Sequence, residues 1–129
     1  MPAGSAFGSV EPGRVFESRG GLETVDGRQN GVGRRSAGQV TEVVVAGRGG
    51  VPGDAVAVVV NATAVRPLAG GFLTLFPCGS AVPGSSTLNY AAGSVVANGA
   101  IIKLGSGGKL CVYSHQAMDL VVDVTGYVR

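Results

Sequence analysis

Residues 54–65, D-A-V-A-V-V-V-N-A-T-A-V, form the longest run of small and β-branched apolar residues in the chain. Side chains alternate between the two faces of a strand, so one face of this segment is wholly apolar, from Val56 to Ala64. The other face becomes polar at Asn61 and Thr63. The β-branched content, with Pro-Gly before the run and Arg-Pro after it, argues against a buried helix. The pattern predicts a central strand with one side in the core and the other partly covered.

The rest of the chain supplies further strands to lay against this one. Strand-like segments occur at residues 14–19, 40–45, 71–76, 86–90, 94–104, 109–114 and 119–128, separated by Gly, Pro, Asn and Asp. This spacing predicts an all-β fold, a single antiparallel β-sandwich of about eight strands, with jelly-roll-like and immunoglobulin-like strand orders both open. The glycine-rich residues 105–108 predict a hairpin between the two strands that flank them.

Two segments have no sustained apolar period. Residues 1–13 are small and polar and are predicted to be an N-terminal arm or linker, which leaves residues 14–129 as the sandwich domain. Residues 20–38 carry turn signals at Asp-Gly and Asn-Gly. They predict a long loop, with a hairpin inside it as an option.

The composition is unusually poor in charge, with 14% charged and 45% hydrophobic residues. No apolar run approaches the roughly 18 residues needed to cross a bilayer, so membrane insertion is not expected. Six arginines in the first half are interleaved with five acids and form no basic stripe, so nucleic-acid binding is not expected either. A largely neutral surface fits contact with copies of the same chain, as a homo-oligomer, or with a neighbouring domain.

Cys78 and Cys111 are the only cysteines. Two sulfurs and one distant histidine cannot complete a zinc site, so a disulfide is the preferred interpretation and no metal is expected. Closing this loop would stabilise the fold by ~3.7 kcal/mol on a chain-entropy basis and implies an oxidising compartment. Two buried free thiols in a cytosolic protein are the alternative.

Catalytic patterns are absent from the sequence. The sole histidine, His115, has no G-x-S-x-G serine to serve, and the glycine-rich segments match neither a phosphate loop nor a dinucleotide fingerprint. Asp119 and Asp123 share a strand face but lie about 13 Å apart along it, too far to act as a hydrolytic pair. We therefore predict no enzyme and no cofactor.

Asp123 lies in the middle of an apolar strand and needs a partner, because a half-buried carboxylate without one is costly. Arg14 or Arg19, from the first predicted strand, is expected to supply it in a structural ion pair.

Polar residues within apolar strands are the candidate ligand contacts. The amides of Asn61, Asn89 and Asn98 either satisfy edge and loop backbone groups or bind sugar hydroxyls. No tryptophan is present, so Tyr90 and Tyr113 are the candidates to stack on a pyranose ring.

Several phrases, taken together, resemble a β module repeated in secreted and cell-surface proteins of actinobacteria and related bacteria. These phrases are R-V-F-E-S-R from Arg14, G-V-P-G-D-A-V-A-V-V-V-N-A-T from Gly50, G-G-F-L-T-L-F-P-C-G from Gly70, S-S-T-L-N-Y from Ser85, V-A-N-G-A from Val96 and V-V-D-V-T-G-Y from Val121. The opening phrase of that family is closer to R-L-L-D-T-R, so Glu17 and Ser18 depart from it.

The resemblance implies a secreted or cell-surface location and a module that is not itself a catalyst, and it supplies no active residues to transfer. Two functions follow as hypotheses. The first is a structural or adhesive module that associates with itself or with a partner through a neutral sheet surface. The second is a carbohydrate-binding module that contacts a cell-envelope glycan through Asn and Tyr side chains.

Overall fold

Eight β-strands make up the regular structure of residues 7–129, which are the residues that the computed structural model describes. The strands are β1 Phe7–Glu17, β2 Gln39–Val44, β3 Ala57–Val65, β4 Gly71–Pro77, β5 Leu88–Tyr90, β6 Val95–Lys103, β7 Lys109–Ser114 and β8 Asp119–Val128. A single turn of 3-10 helix, Ser106–Gly108, precedes β7. The all-β prediction is confirmed.

The strands form two four-stranded antiparallel sheets, which confirms the predicted sandwich. The first sheet has the order β1-β8-β3-β6 and the second has the order β2-β7-β4-β5. Strand pairs nest inward along the chain, first with last, second with seventh, third with sixth and fourth with fifth. This nesting is the strand order of a jelly roll, and it decides between the two topologies that the sequence left open.

The quoted run is the central strand β3, which pairs with β6 on one side and β8 on the other. Val58, Val60, Ala62 and Ala64 are fully buried between the sheets, while the alternate residues of β3 are mostly half-buried on the outer surface. The strand begins at Ala57, and Val56, predicted to share the buried face, is exposed.

The core lies between the two sheets. The first sheet contributes the inward residues of β3 and β8, and the second contributes aliphatic residues of β2, β4 and β7 such as Val43, Leu73 and Leu110. Each such side chain, when fully buried, stabilises the fold by roughly 1.5–3 kcal/mol relative to exposure. Burial of one alternating set per strand therefore fixes the register of both sheets.

The first strand is longer than the sequence predicts. It begins at Phe7, and its first part pairs with β8 through Ser9 and Gly126, so residues 7–13 of the predicted arm are strand. The register shifts between Ser9 and Gly13, and Pro12 lies inside this irregular segment. A proline is tolerated in a strand at such a bulge, so small and polar composition did not prevent strand formation here. Residues 1–6 of the predicted arm lie outside the described residues.

The predicted hairpin at residues 105–108 is wrong. Strand β6 before it belongs to the first sheet and β7 after it belongs to the second, so the connection crosses between sheets. Ser106 N–H donates to the carbonyl of Cys78, and Gly105 N–H donates to that of Lys109. Glycines correctly predict a tight turn here, but they do not specify which strands pair.

The long loop predicted at residues 20–38 contains no hairpin within the described chain. It lies along the outer edge of β1 through backbone hydrogen bonds, from Val25 N–H to Arg14 O, from Glu17 N–H to Gln29 O and from Gly31 N–H to Glu17 O. The loop therefore covers an edge that would otherwise be open.

Candidate functional site

An ion-pair network joins the start of the chain to its last strand on the outer face of the first sheet. Arg14 Nε donates to Asp123 Oδ1 at 2.9 Å, and the two residues are direct partners across β1 and β8. Arg14 Nη1 also reaches Glu17 Oε1 at 3.0 Å. Arg19, the other predicted partner of Asp123, instead pairs with Glu17, through Nε to Oε2 at 2.9 Å. Asp123 thus has its arginine, and the second arginine serves a different acid.

Glu17 is the deepest member of this network, with none of its side chain exposed. Burial raises the pKa of its carboxyl, but hydrogen bonds from the Arg19 side chain and backbone, with the charges of Arg19 and Arg14, outweigh burial and lower the pKa overall. The hydrogen bond to Asp123 raises the pKa of Arg14. Glu17, where this sequence departs from the R-L-L-D-T-R pattern, is therefore paired with two arginines of the same chain.

Sequence reasoning missed a second ionic centre, at Arg48. Its side chain is almost wholly buried, and its Nε and Nη2 donate to the two carboxylate oxygens of Asp26 at 2.8 Å each. Its remaining donors reach the backbone carbonyls of Val15, Val44 and Arg28. These bonds fasten the loop before β2 to β1, a structural role. Nothing in the local pattern distinguishes Arg48 from the other arginines, because its partners are distant in sequence.

The predicted disulfide between Cys78 and Cys111 is confirmed, with a Cα–Cα distance of 5.0 Å. It links the end of β4 to β7, which are neighbours in the second sheet. The half-cystines lie on the outer face of that sheet with Phe76 and Tyr113. The bond therefore ties two central strands together outside the main core.

Tyr90, a predicted ligand contact, is a core residue. Its side chain is 93% buried, its hydroxyl donates to Phe72 O at 3.2 Å and it accepts from Gln116 N–H at 3.1 Å. Burial raises the pKa of this phenol. Because both roles of the hydroxyl are satisfied internally, the assignment of Tyr90 to a surface ligand site is wrong.

Tyr113 lies on the opposite, outward face of the second sheet. Its ring centroid is 5.9 Å from that of Phe72, and Phe72 stacks on His115 at 4.6 Å with the rings 15° apart. All three side chains are half-buried. We call Phe72, Tyr113 and His115 the aromatic patch. Asn89 is exposed beside it as the cross-strand partner of Phe72.

The remaining candidate amides do not join this patch. Asn61 lies on the outer face of the first sheet, between Asp123 and Gly99 on the neighbouring strands. Asn98 on β6 donates its side-chain amide to Thr87 O at 2.9 Å, the backbone role considered for these residues. The five residues predicted for ligand binding are therefore divided between two outer faces, the core and a sheet edge. Only Asn89 and Tyr113 share a surface.

The outer surface of β3 and β6 is the other notable surface. Strand β6 exposes two large apolar side chains on this surface. They are Val95, with 64% of its surface exposed, and Ile101, with 70% exposed. Between them lie Ala97 and Gly99, and Val59, Asn61 and Thr63 of β3 stand opposite. We call these seven residues the β3–β6 face. None of them carries a charge, and the flanking Lys103 is the only charged residue of β6.

Within residues 7–129, no group of three or more His, Cys, Asp or Glu side chains is placed to hold a metal ion. The same residues enclose no pocket. None of the described helical structure is long and apolar enough to cross a membrane.

Comparison with known proteins adds no family assignment. No protein-family model matches the chain, and neither a curated protein nor a solved structure matches it. The resemblance to the actinobacterial β module stays a prediction.

Proposed function

We propose that this chain is a non-catalytic, extracellular structural or adhesive module that associates with copies of itself through the β3–β6 face. The observation that carries the proposal is the β3–β6 face, seven outward residues without a charge, among which Val95 and Ile101 are both largely exposed. Apolar side chains exposed together on an uncharged surface mark interaction sites on soluble proteins. Isolated exposed side chains would not support the same conclusion.

The opposite face of the sandwich supports the proposal by contrast. On the second sheet, the outward Thr74 is almost fully buried, because its hydroxyl donates to Ser85 O in the segment between β4 and β5. Phe76 and the disulfide are also covered there. The chain thus folds back over part of the outer surface of the second sheet, whereas no segment of residues 7–129 covers the β3–β6 face.

The disulfide supports the extracellular part of the proposal. Cys78 and Cys111 are bonded and no free cysteine remains among the described residues. Such bonds persist outside the reducing cytosol. Recovery of the bonded form from the culture medium or cell wall of the native host, and its absence from the cytosol, would support export.

Light scattering coupled to size exclusion tests the association. The wild-type chain is expected to exceed its monomer mass of 12.8 kDa as concentration rises. Ile101→Glu places a charge in the β3–β6 face and should return the protein to a monomer. Leu68→Glu is the matched control, because Leu68 is 71% exposed but lies in the turn after β3 and is not one of the seven residues of the face. A wild type that stays monomeric throughout overturns the proposal.

A second candidate function is carbohydrate binding, favoured by the aromatic patch with an exposed amide beside it. Half-buried rings on the outer face of the second sheet can stack on the apolar face of a sugar while the Asn89 amide bonds to its hydroxyls. A glycan array followed by titration calorimetry tests this. Tyr113→Ala should remove binding, whereas Leu68→Ala should leave it intact. Binding that survives Tyr113→Ala would exclude the patch.

A further inference from the structure

The four outer edges of the two sheets are protected to different degrees. The edge of β1 is paired with the loop that contains Val25, Gln29 and Gly31. On β2, the side chain of Gln29 donates to Glu42 O at 2.9 Å and accepts from Val44 N–H at 2.8 Å. The β5 edge is only three residues long. The nine-residue β6 is the exception, since its backbone pairs only with β3 among the described strands.

The hydrogen-bonding direction of β6 follows from its register. Leu104 N–H donates to Val56 O, and Arg66 N–H donates to Ser94 O, so these bonds flank the β3–β6 ladder in one continuous register. Alternate residues of an antiparallel strand turn their backbone groups to the same side. The backbone N–H and C=O groups of the even-numbered residues of β6 therefore point toward β3. The N–H and C=O groups of Val95, Ala97, Gly99, Ile101 and Lys103 point to the open edge.

The composition of this edge is unusual for one left open. Natural sheets protect exposed edges with proline, bulges, inward charges or short strands. Strand β6 has no proline, its pairing with β3 shows no register shift, and Lys103 at its end is the only charge. Such an edge is a template for another strand.

The strand is also complementary to itself. In an antiparallel pair centred on Gly99, Ala97 lies opposite Ile101 of the second copy, and Val95 lies opposite Lys103. The two lysines are thus kept at opposite ends of the pair, and no like charges meet. Small residues, Ala97, Gly99 and Ala100, occupy the centre, where two backbones must approach. A two-fold axis through Gly99 would form about ten new backbone hydrogen bonds.

We propose that two copies of this chain pair edge to edge through β6, antiparallel and centred on Gly99, and so join their first sheets into one eight-stranded sheet. This inference rests on the proposed self-association and adds a second contact to it, along the open edge of β6 beside the β3–β6 face. The partner is a second copy because the register places Ala97 opposite Ile101, sets small residues at the centre and keeps the two Lys103 side chains apart.

A proline at Ala97 tests the edge. The N–H of Ala97 points away from β3, so Ala97→Pro removes no bond within the chain but removes one bond of the dimer on each side of the two-fold axis. We expect its dimer dissociation constant, measured by sedimentation, to rise at least tenfold. Ala97→Val is the matched control, because it keeps the N–H and should stay dimeric.

Cysteine crosslinking tests the register and remains informative if the proline variant fails to fold. A Cβ at Gly99 meets only Val60 O at 3.8 Å, an ordinary contact. Two Gly99→Cys chains would have Cα atoms ~5.5 Å apart across the axis, within disulfide range. They should crosslink on oxidation, whereas Ala97→Cys, ~13 Å from its own copy along the strands, should not.

The outcomes separate this inference from the function on which it rests. A monomeric wild type overturns both. A dimer that survives Ala97→Pro, or that crosslinks through Ala97→Cys and not Gly99→Cys, overturns the β6 pairing and leaves association through the β3–β6 face standing. Loss of the dimer in Ala97→Pro with crosslinking only through Gly99→Cys supports the pairing.

Discussion

The guanidinium of Arg48 holds both carboxylate oxygens of Asp26 at 2.8 Å, from a side chain that is almost completely buried. Three backbone carbonyls take its other donors. A planar group with five donors suits this position, where a lysine would leave carbonyls unsatisfied. This contact fixes the loop that covers the β1 edge, and so leaves β6 as the only long unprotected edge among the described strands.

Removing Arg48 should therefore be costly. Arg48→Met keeps the length of the side chain but removes the bonds to the Val15 and Val44 carbonyls and the paired charge of Asp26. We expect a loss of about 2–4 kcal/mol in the free energy of unfolding, measured by urea denaturation. Arg129→Met is the control, because its pair with Asp54 is exposed and should contribute less than about 0.5 kcal/mol. Equal effects of the two substitutions would contradict the anchoring role.

Acid should weaken the fold through Glu17 and Asp26. Hydrogen bonds from Arg48 hold the pKa of Asp26 below its ordinary value of 3.8, and the arginine contacts hold the pKa of Glu17 below its ordinary 4.5. A lowered folded-state pKa gives stability that is complete above the ordinary value and is lost as pH falls through the folded one. The free energy of unfolding should thus be flat near neutrality and decline below about pH 4.5.

Glu17→Gln separates the contribution of Glu17 from the rest. The amide cannot accept the same charge-assisted bonds from Arg14 and Arg19, so the variant should be less stable at pH 7 by about 1–3 kcal/mol. The deficit should shrink as pH falls, because the wild-type carboxyl then becomes neutral too. Urea denaturation at both pH values measures this, and a deficit that is the same at pH 7 and pH 3 would exclude the carboxylate as the cause.

The disulfide should contribute a large share of the stability. Replacing both Cys78 and Cys111 by alanine removes the crosslink between β4 and β7, and we expect a loss of about 3–4 kcal/mol. Thermal unfolding followed by circular dichroism should show a matching fall in Tm for the reduced wild type. The double variant itself should not respond to reductant. A wild-type Tm that is unchanged by complete reduction would contradict this expectation.

Gly105 is required by close packing at the crossing between the sheets. A Cβ there would collide with the carbonyl oxygen of Cys78, a backbone atom that cannot rotate away. Gly105→Ala should thus cost about 1–3 kcal/mol. Gly84→Ala is the control, because a Cβ there meets nothing within 4 Å and its φ is not positive. Urea denaturation compares the two variants. A Gly105→Ala variant as stable as Gly84→Ala would contradict the prediction, because the backbone near Cys78 would then be able to move and accommodate the Cβ.

The local patterns of the sequence account for most strands, because strand identity depends on alternation within a few residues. Val58 and Leu120 lie in the core for this reason, and both were on the apolar faces of their segments. The strand order depends on contacts between distant segments, which alternation does not encode. The hairpin predicted at Gly105 failed on that point, since a tight turn is compatible with pairing or with crossing.

The candidate sites divide in the same way. The sequence predicted an arginine partner for Asp123, because an unpaired carboxylate in an apolar strand is energetically costly. Arg14 is that partner. Arg48 gave no such signal, because an arginine in a glycine-rich turn is ordinary until the fold buries it. Tyr90 shares the buried face of β5 with Leu88, so the alternation of that strand pointed to the core and not to a sugar-stacking surface.

Removing the hydroxyl of Tyr90 should reduce the stability of the fold much more than removing the hydroxyl of Tyr113. Tyr90→Phe deletes a buried donor and leaves Gln116 N–H and Phe72 O without their partner, so we expect a loss of about 1–3 kcal/mol in the free energy of unfolding. Tyr113→Phe removes a hydroxyl from the half-buried outer face and should change stability by less than about 0.5 kcal/mol. In the carbohydrate-binding test Tyr113→Ala should remove binding and Tyr90→Phe should not, because only Tyr113 lies in the aromatic patch and its ring supplies the stacking. Binding that depends on Tyr90 and not on Tyr113, in variants shown by circular dichroism to be folded, would place the ligand elsewhere.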